Sequence, residues 1–211
     1  MTKSAFVRNL ITNQVFLNAA ISGSLFLAVI ALEDRGHDSF IIGTARAAIG
    51  CVGIVGALST GLFQRWFSFP VLMLLNAACI AVALAGTALL SGHLWLVLPL
   101  GAAVIFAPAA NAVVYAKMHE LIPEEAFGRA TNIQLQIVTG VDGIWTTPLS
   151  YISKALSLSV GMWVCTGMAA VGFVQTFVFN RATRLATEKV AAEKGAAEKD
   201  SAGQKPAETA E

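Results

Sequence analysis

Charge is scarce in this 211-residue chain, because Asp, Glu, Lys and Arg make up only 13% of it while hydrophobic residues make up 56%. A typical soluble domain has about 25% charged residues. So few charged side chains cannot cover a globule of this length with polar surface, which excludes a soluble enzyme. The formal net charge of +1 leaves no basic surface for nucleic acid. The chain is therefore predicted to be an integral membrane protein.

Residues that carry enzyme or metal chemistry are also few. The three cysteines lie inside apolar runs and form no CxxC pair, so they are interpreted as small packing residues. The three histidines fall in loops or at the ends of apolar runs. The sequence contains no HExxH motif, phosphate-binding loop or paired-carboxylate motif. We therefore predict no enzymatic activity, no catalytic residue, no cofactor and no metal site.

Long apolar runs organise residues 1–180 into a predicted all-α transmembrane domain. A bilayer core of about 30 Å requires about 20 helical residues. None of the runs alternates in polarity as a barrel strand would, so helices are predicted. The six predicted spans are approximately 11–32, 40–62, 70–91, 94–117, 130–150 and 158–180.

The composition changes abruptly after residue 180. Residues 181–211 are rich in Ala, Glu and Lys and contain almost no large apolar side chain. Such a segment cannot bury a core, so it is predicted to be a charged, solvated and disordered tail.

Loop arginines and lysines predict the orientation of the spans in a cell membrane, inner or plasma. The side with more of these residues is expected to be cytoplasmic. This rule places both termini in the cytoplasm. The predicted cytoplasmic side carries Lys3, Arg8, Arg65, Lys117, Arg129, Arg181 and Arg184, and the other side carries Arg35 and Lys154.

Polar residues inside the predicted spans are candidates for a substrate cavity, because polar groups at membrane depth usually face protein or water. At about 100° per residue, Asn132, Gln136 and Thr139 share one stripe of the fifth span, whereas Gln134 points nearly opposite. Two interpretations stay open, a wall of an aqueous cavity and contacts that hold helices together. The first span carries Gln14, Asn18 and Ser22 at every fourth position, and the fourth span carries Asn111.

Two ionisable residues lie clearly inside predicted spans. Arg46 lies about 9 Å into the second span, and Asp142 lies at a similar distance from the same membrane face in the fifth. We expect them to pair or to face one cavity, where Asp142 could couple transport to protons. The alternatives are a structural ion pair and an arginine that reaches out to the headgroups.

The second span is rich in glycine, which permits close approach of another helix from this chain or from another chain. Its glycines are Gly43, Gly50, Gly53, Gly56 and Gly61.

A charged stretch, YAKMHELIPEEAFGRATNI, separates the fourth and fifth spans. It is predicted to be a cytoplasmic turn in which Pro123 starts a short helical turn, and Glu124 and Glu125 suit the positive N-terminal end of that turn. Gly128 relaxes the backbone, and Arg129 lies at headgroup level. Across this hairpin, Asn111 and Gln136 are expected to lie at similar depth and to be able to meet.

The order of these features resembles the C-terminal half, helices seven to twelve, of a major facilitator superfamily transporter of the drug and siderophore exporter branch. Three segments carry the resemblance, namely IPEEAFGRATNIQ from Ile122, GALSTGLFQRWFSFPVLML from Gly56, and EDRGHDSFIIG ending at Gly43. The resemblance implies two inverted three-helix repeats, with spans one and four lining the cavity and spans two and five facing the missing half. A complete transporter of this family has twelve spans, and the strong N-terminal signature of the family is absent here.

The resemblance therefore implies a half-length permease that exports small amphipathic solutes by proton coupling once it is completed by a second six-helix half or by homodimerisation. The expected partners are the lipid bilayer, a small-molecule substrate and that second half. The alternative is a non-transporting truncated remnant, or a membrane protein that interacts with a full transporter.

Overall fold

The computed structural model is all-helical in the part of the chain that it describes, which is residues 3–203 for the backbone and 6–183 for the side chains. The all-α prediction is confirmed. The helices are α1 (Lys3–Glu33), α2 (Ser39–Leu58), α3 (Thr60–Trp66), α4 (Phe69–Leu89), α5 (Val97–Ala103), α6 (Ala107–Leu121), α7 (Glu124–Ala155) and α8 (Leu158–Gly203), with a short 3-10 turn at Leu94–Leu96.

Five of the predicted six spans are long and apolar enough to cross a membrane. They cover Phe6–Glu33, Ser39–Leu58, Phe69–Leu89, Leu94–Leu121 and Leu158–Thr183. The remaining predicted span, 130–150, lies within α7, which has ample length at 32 residues. Its asparagine, glutamines, threonines and aspartate make it less apolar than the other five. The count of apolar spans is therefore corrected from six to five.

The second predicted span, 40–62, is two helices rather than one. α2 ends at Leu58, Ser59 forms the junction, and α3 starts at Thr60. If α5 and α6 are counted as one interrupted span, the described residues form seven helices, not six. The prediction of two inverted repeats is not tested by these bounds.

The fourth span is interrupted at Val104–Phe106, between α5 and α6. Pro108 lies in the first turn of α6, where a backbone N–H has no partner within the helix, so the missing N–H of proline costs no helical hydrogen bond. Gly56 of α2 packs against this break so closely that a Cβ atom there would lie 2.3 Å from the carbonyl oxygen of Ile105. Here the glycine is required by the approach of two backbones.

The main core lies among α1, α4, α5 and α8, where α8 packs against both α1 and α4. Leu27, Leu84 and Leu100 are fully buried within it. Gly161 and Gly172 allow α8 to approach α1, because a Cβ atom at either position would lie within 3 Å of a leucine side chain of α1. α2 is peripheral and buries only Ile42, Ile49 and Gly56.

α8 continues past residue 180 to Gly203, into the segment that composition predicts to be a solvated tail. Side chains after residue 183 and all of residues 204–211 lie outside the described residues. The prediction for the tail, 181–211, therefore stays a prediction.

Candidate functional site

Three side-chain amides meet where α1, α6 and α7 come together. Gln14 of α1 donates through Nε2 to Asn111 Oδ1 of α6 at 2.9 Å, and its Oε1 accepts a hydrogen bond from Gln134 Nε2 of α7. Gln14 and Gln134 are buried, whereas Asn111 is exposed at the edge. We call Gln14, Asn111 and Gln134 the amide cluster. Each amide can both donate and accept, so the three neutral groups satisfy part of one another's hydrogen-bonding capacity away from water.

The helix bounds explain how the amides come together. The break at Val104–Phe106 restarts the chain as α6, so Asn111 lies in its first two turns. Ile122 and Pro123 alone connect α6 to α7, so the start of α7 lies next to the end of α6. Gln134 occupies the face of α7 that also carries the buried Leu149.

α1 and α7 run parallel to each other, and two hydrogen-bonded pairs of residues align them along their length. Gln14 bonds to Gln134, and eight residues further along each helix Ser22 Oγ donates to Asp142 Oδ1 at 2.9 Å. Both pairs are separated by 120 residues. Eight helical residues correspond to about 12 Å of shared length. Between the two levels, Asn18 Nδ2 donates to the backbone oxygen of Gln14 at 2.9 Å.

The polar stripe predicted on the fifth span does not contact these amides. Asn132, Gln136 and Thr139 are all exposed, on the opposite face of α7 from Gln134. The expected meeting of Asn111 with Gln136 is wrong, because the glutamine that reaches the α1–α6 junction is Gln134. The structure therefore brings together Gln14, Asn18, Ser22, Asn111 and Asp142 from the predicted residues, adds Gln134, and leaves the stripe uncovered.

The helical step did contain a signal for Gln134, because two residues after Asn132 correspond to about 200° of rotation. α7 is thus polar on two opposite faces. The face that contacts α1 carries its polar groups eight residues apart, at Gln134 and Asp142, and therefore shows no continuous polar stripe in the sequence.

The predicted pair of Arg46 and Asp142 does not form. Within residues 6–183 the salt bridge joins Lys117 to Glu120, and Asp142 accepts its hydrogen bond from Ser22 instead. Arg46 is exposed on α2. Matching depth was insufficient, because α2 packs against α5 whereas α7 packs against α1.

The charged turn leads directly into a long helix rather than forming the predicted short helical turn, because α7 runs without interruption from Glu124 to Ala155. Pro123 precedes the first helical residue, Glu124, and the turn begins with a hydrogen bond of 3.0 Å from the Ala126 N–H to the Pro123 carbonyl. Glu124 and Glu125 stand in the first turn, where negative charge is favourable. Gly128 and Arg129 are exposed, and a Cβ atom added at Gly128 would meet nothing within 4 Å. These residues lie at the connection between α6 and α7, and they take no part in the hydrogen bonds of the amide cluster.

The polar side chains of the site are neutral amides and a hydroxyl, apart from the carboxyl group of Asp142. Among the described residues, no three His, Cys, Asp or Glu side chains come together as a metal site would require. The amide cluster can exchange hydrogen bonds with a polar solute or with another helix, and Asp142 is the group at the site that can gain or lose a proton. The arrangement therefore suits hydrogen bonding and proton exchange.

Comparison with known proteins adds no family to these observations. No family model, no curated protein and no solved structure matches the chain. The resemblance to the major facilitator superfamily therefore depends on the three sequence segments quoted above.

Proposed function

We propose that this chain is half of a membrane permease of the major facilitator type, in which α7 is the sixth span beside the five apolar helices. A second six-helix half or a second copy completes it. The completed assembly exports small amphipathic solutes in exchange for protons. The single observation that supports this proposal best is the parallel register of α1 and α7, with an exposed polar face on α7.

The register supports a transmembrane position for α7. α1 includes a 28-residue stretch, Phe6–Glu33, that is apolar enough to span. Because Gln134 and Asp142 pair with α1 residues at two levels about 12 Å apart, α7 shares the depth of α1. A helix whose own composition would not insert it is then held in the bilayer by the polar residues of its neighbour.

The exposed polar face of α7, opposite the face that contacts α1, is not suited to contact with lipid. Asn132, Gln136 and Thr139 are exposed in this chain, and an amide facing hydrocarbon without a partner costs several kcal/mol by order of magnitude. That face therefore requires water or another protein surface. A water-filled path between two halves supplies both.

Asp142 is the proposed coupling group. Its carboxylate accepts a hydrogen bond from the Ser22 hydroxyl at the α1–α7 contact. Gain of a proton would remove the negative charge and add an O–H donor to a group that otherwise only accepts, which would weaken or rearrange that contact. A change in the α1–α7 contact is a direct means of linking proton binding to movement of the cavity wall.

The partner and the orientation follow from open surfaces and loop charge. A Cβ atom added at Gly43, Gly50 or Gly53 of α2 would meet nothing within 4 Å, so this glycine face is open to a second half or a second copy. The loop lysines and arginines favour cytoplasmic termini in an inner or plasma membrane.

Cysteine accessibility in proteoliposomes tests the aqueous face. Cys51, Cys79 and Cys165 are replaced by alanine, and single cysteines are placed at Gln136, at Thr139 and, as a lipid-facing control, at Val82, which is 73% exposed on α4. A charged, water-soluble maleimide is expected to label positions 136 and 139 and to spare position 82. Equal protection at all three positions would overturn the aqueous path.

A transport assay tests coupling. Vesicles that contain the chain and its partner half are loaded with an amphipathic fluorescent dye and placed in a more acidic medium, and extrusion of the dye in exchange for entering protons is followed. Asp142→Asn is expected to remove the proton-dependent part, whereas Asp38→Asn, at the exposed N-cap of α2, should leave it unchanged because asparagine also caps helices. Unchanged transport by Asp142→Asn would exclude this residue as the coupling group.

One observation favours the non-transporting alternative, in which the chain is a remnant or binds a full transporter. A single copy leaves the whole polar face of α7 uncovered. Single-molecule photobleaching in a bilayer discriminates between the two functions when the chain is expressed alone and with candidate halves. A strictly monomeric chain under all conditions would contradict the transport proposal.

A further inference from the structure

A large groove opens where one end of α1, α4, α6 and α8 meet. Its volume is about 630 Å³, and Phe6, Phe69, Val71, Leu74, Phe177 and Phe179 form its apolar wall. Lys117 of α6 and Arg181 of α8 lie on its rim. We call it the basic-rim groove. It lies away from the amide cluster and the outer face of α7.

We propose that the basic-rim groove binds an anionic phospholipid, with the phosphate between Lys117 and Arg181 and an acyl chain along the phenylalanines. The proposal requires only that the chain resides in a bilayer. It does not depend on transport, and it holds for either orientation of the chain.

The position of the groove along the spans matches the headgroup level. Phe69 is the first residue of the apolar helix α4, and Arg181 is the first charged residue after the apolar part of α8. Both residues line the groove. Because apolar spans begin and end where hydrocarbon gives way to headgroups, the groove lies at the depth of lipid phosphates and glycerol esters.

The apolar wall is preformed. The Phe6 ring lies 6.3 Å from the Phe69 ring and 5.0 Å from the Phe179 ring, so three aromatic side chains from α1, α4 and α8 form a continuous surface. Asn180 Nδ2 donates to the Pro70 carbonyl at 2.7 Å and ties α8 to the start of α4. A lipid chain can therefore bind without reorganising these helices.

The two basic side chains at the rim, Lys117 and Arg181, are able to bind an anion. Arg181 is exposed and takes part in no salt bridge among the side chains of residues 6–183, and its guanidinium can hold a phosphate with two hydrogen bonds. Lys117 contacts Glu120 at 2.5 Å, but this exposed pair within one helical turn is weak, and the ammonium has three donors. Among the described side chains, two cations and one carboxylate give the rim a net positive charge that complements an anionic headgroup.

Native mass spectrometry of the full chain, released from nanodiscs of equal parts phosphatidylcholine and phosphatidylglycerol, tests the proposal. The wild-type chain is expected to retain phosphatidylglycerol in preference to phosphatidylcholine. Arg181→Gln and Lys117→Gln should each lower this preference about fivefold, the effect of losing one basic residue near an anionic membrane surface. Both side chains lie on the rim, so neither change removes a buried contact.

Arg129→Gln is the matched control, since Arg129 is exposed at the start of α7 and does not line the groove. It is expected to leave the preference unchanged. An equal loss in Arg129→Gln would assign the preference to diffuse charge and overturn the proposal. Absence of any preference in the wild-type chain, or an unchanged preference in Arg181→Gln, would also overturn it and point to another occupant, such as a second copy or residues 184–211.

Discussion

Ser22 and Asp142 are joined by a hydrogen bond of 2.9 Å from the Ser22 hydroxyl to the Asp142 carboxylate, across the α1–α7 contact. Their separation of 120 residues equals that between Gln14 and Gln134. Because both pairs have the same sequence separation, they fix the position of α7 along the axis of α1. A shift of either helix by one turn would break both hydrogen bonds. The register of α7 therefore depends on polar contacts rather than on apolar packing alone.

We expect Ser22→Ala to lower the free energy of unfolding by about 1 kcal/mol, because it removes the hydroxyl donor from the half-buried Asp142. The measurement is reversible unfolding in mixed detergent micelles. Ser68→Ala is the matched control, since Ser68 is exposed and its side chain makes no capping hydrogen bond. Equal destabilisation by both changes would contradict a specific role of the Ser22–Asp142 bond.

Gln134→Leu should destabilise the chain much more than Gln136→Leu, although the two residues lie only two positions apart. Gln134→Leu removes the donor to Gln14, so the free energy of unfolding should fall by roughly 1–3 kcal/mol. Gln136 is exposed on the other face of α7, and its replacement should change stability by less than about 0.5 kcal/mol.

The same pair of variants separates stability from function. Gln136→Leu should impair transport or partner binding in the assays described above, because it removes an amide from the outer face of α7. A stability loss in Gln136→Leu, together with a neutral Gln134→Leu, would reverse the assignment of the two faces.

Gly56→Ala should destabilise the chain by about 1–3 kcal/mol, because the new methyl group would lie 2.3 Å from the Ile105 carbonyl oxygen and force α2 away from the break between α5 and α6. Gly50→Ala is the control on the same helix, where a Cβ atom meets nothing within 4 Å. It should stabilise α2 by about 0.5–1 kcal/mol, since alanine is the better helix former. Thermal denaturation in detergent compares the two, and destabilisation by Gly50→Ala in a monomeric preparation would contradict this account.

Asn13→Ala should lower the free energy of unfolding by about 2 kcal/mol, because two hydrogen bonds of 2.8 Å, from Asn13 Nδ2 to the Gly172 carbonyl and to Thr176 Oγ1, join α1 to α8. Thr12→Ala is a neighbouring control whose hydroxyl bonds only to Arg8 of its own helix. Chemical denaturation of the two variants in parallel measures the difference. If Thr12→Ala costs as much as Asn13→Ala, the α1–α8 contact is not the source of stability.

Much of the fold follows from hydropathy, because the apolar runs 11–32, 70–91, 94–117 and 158–180 match four of the five apolar segments of spanning length to within a few residues at their ends. The start of α7 at Glu124 follows from Pro123 and the two glutamates. The junction at Ser59 could not be predicted in this way, because α2 and α3 are joined by one serine with neither proline nor a charged residue beside it. Gly56, three residues before this junction, packs against the Ile105 carbonyl, a contact between distant segments that hydropathy does not give.

The candidate site was predicted less completely than the spans. Periodicity gives the angle between two residues on one helix, and it placed Gln134 opposite Asn132 correctly. It does not give the direction of the neighbouring helix, so the face that contacts α1 could not be identified. Similar depth in the membrane likewise did not predict whether Arg46 and Asp142 meet. Two residues at one depth can lie on helices that pack against different neighbours.

The constant offset between α1 and α7 also has a consequence for biosynthesis in the proposed topology. At roughly 5–20 residues per second, the ribosome needs on the order of 6–24 seconds to make the 120 residues between Ser22 and Asp142. During that interval α1 resides in the bilayer without its partner, and α7 then enters beside a helix that already presents complementary polar groups. In the proposed topology, α1 would therefore serve as the template for the insertion of α7.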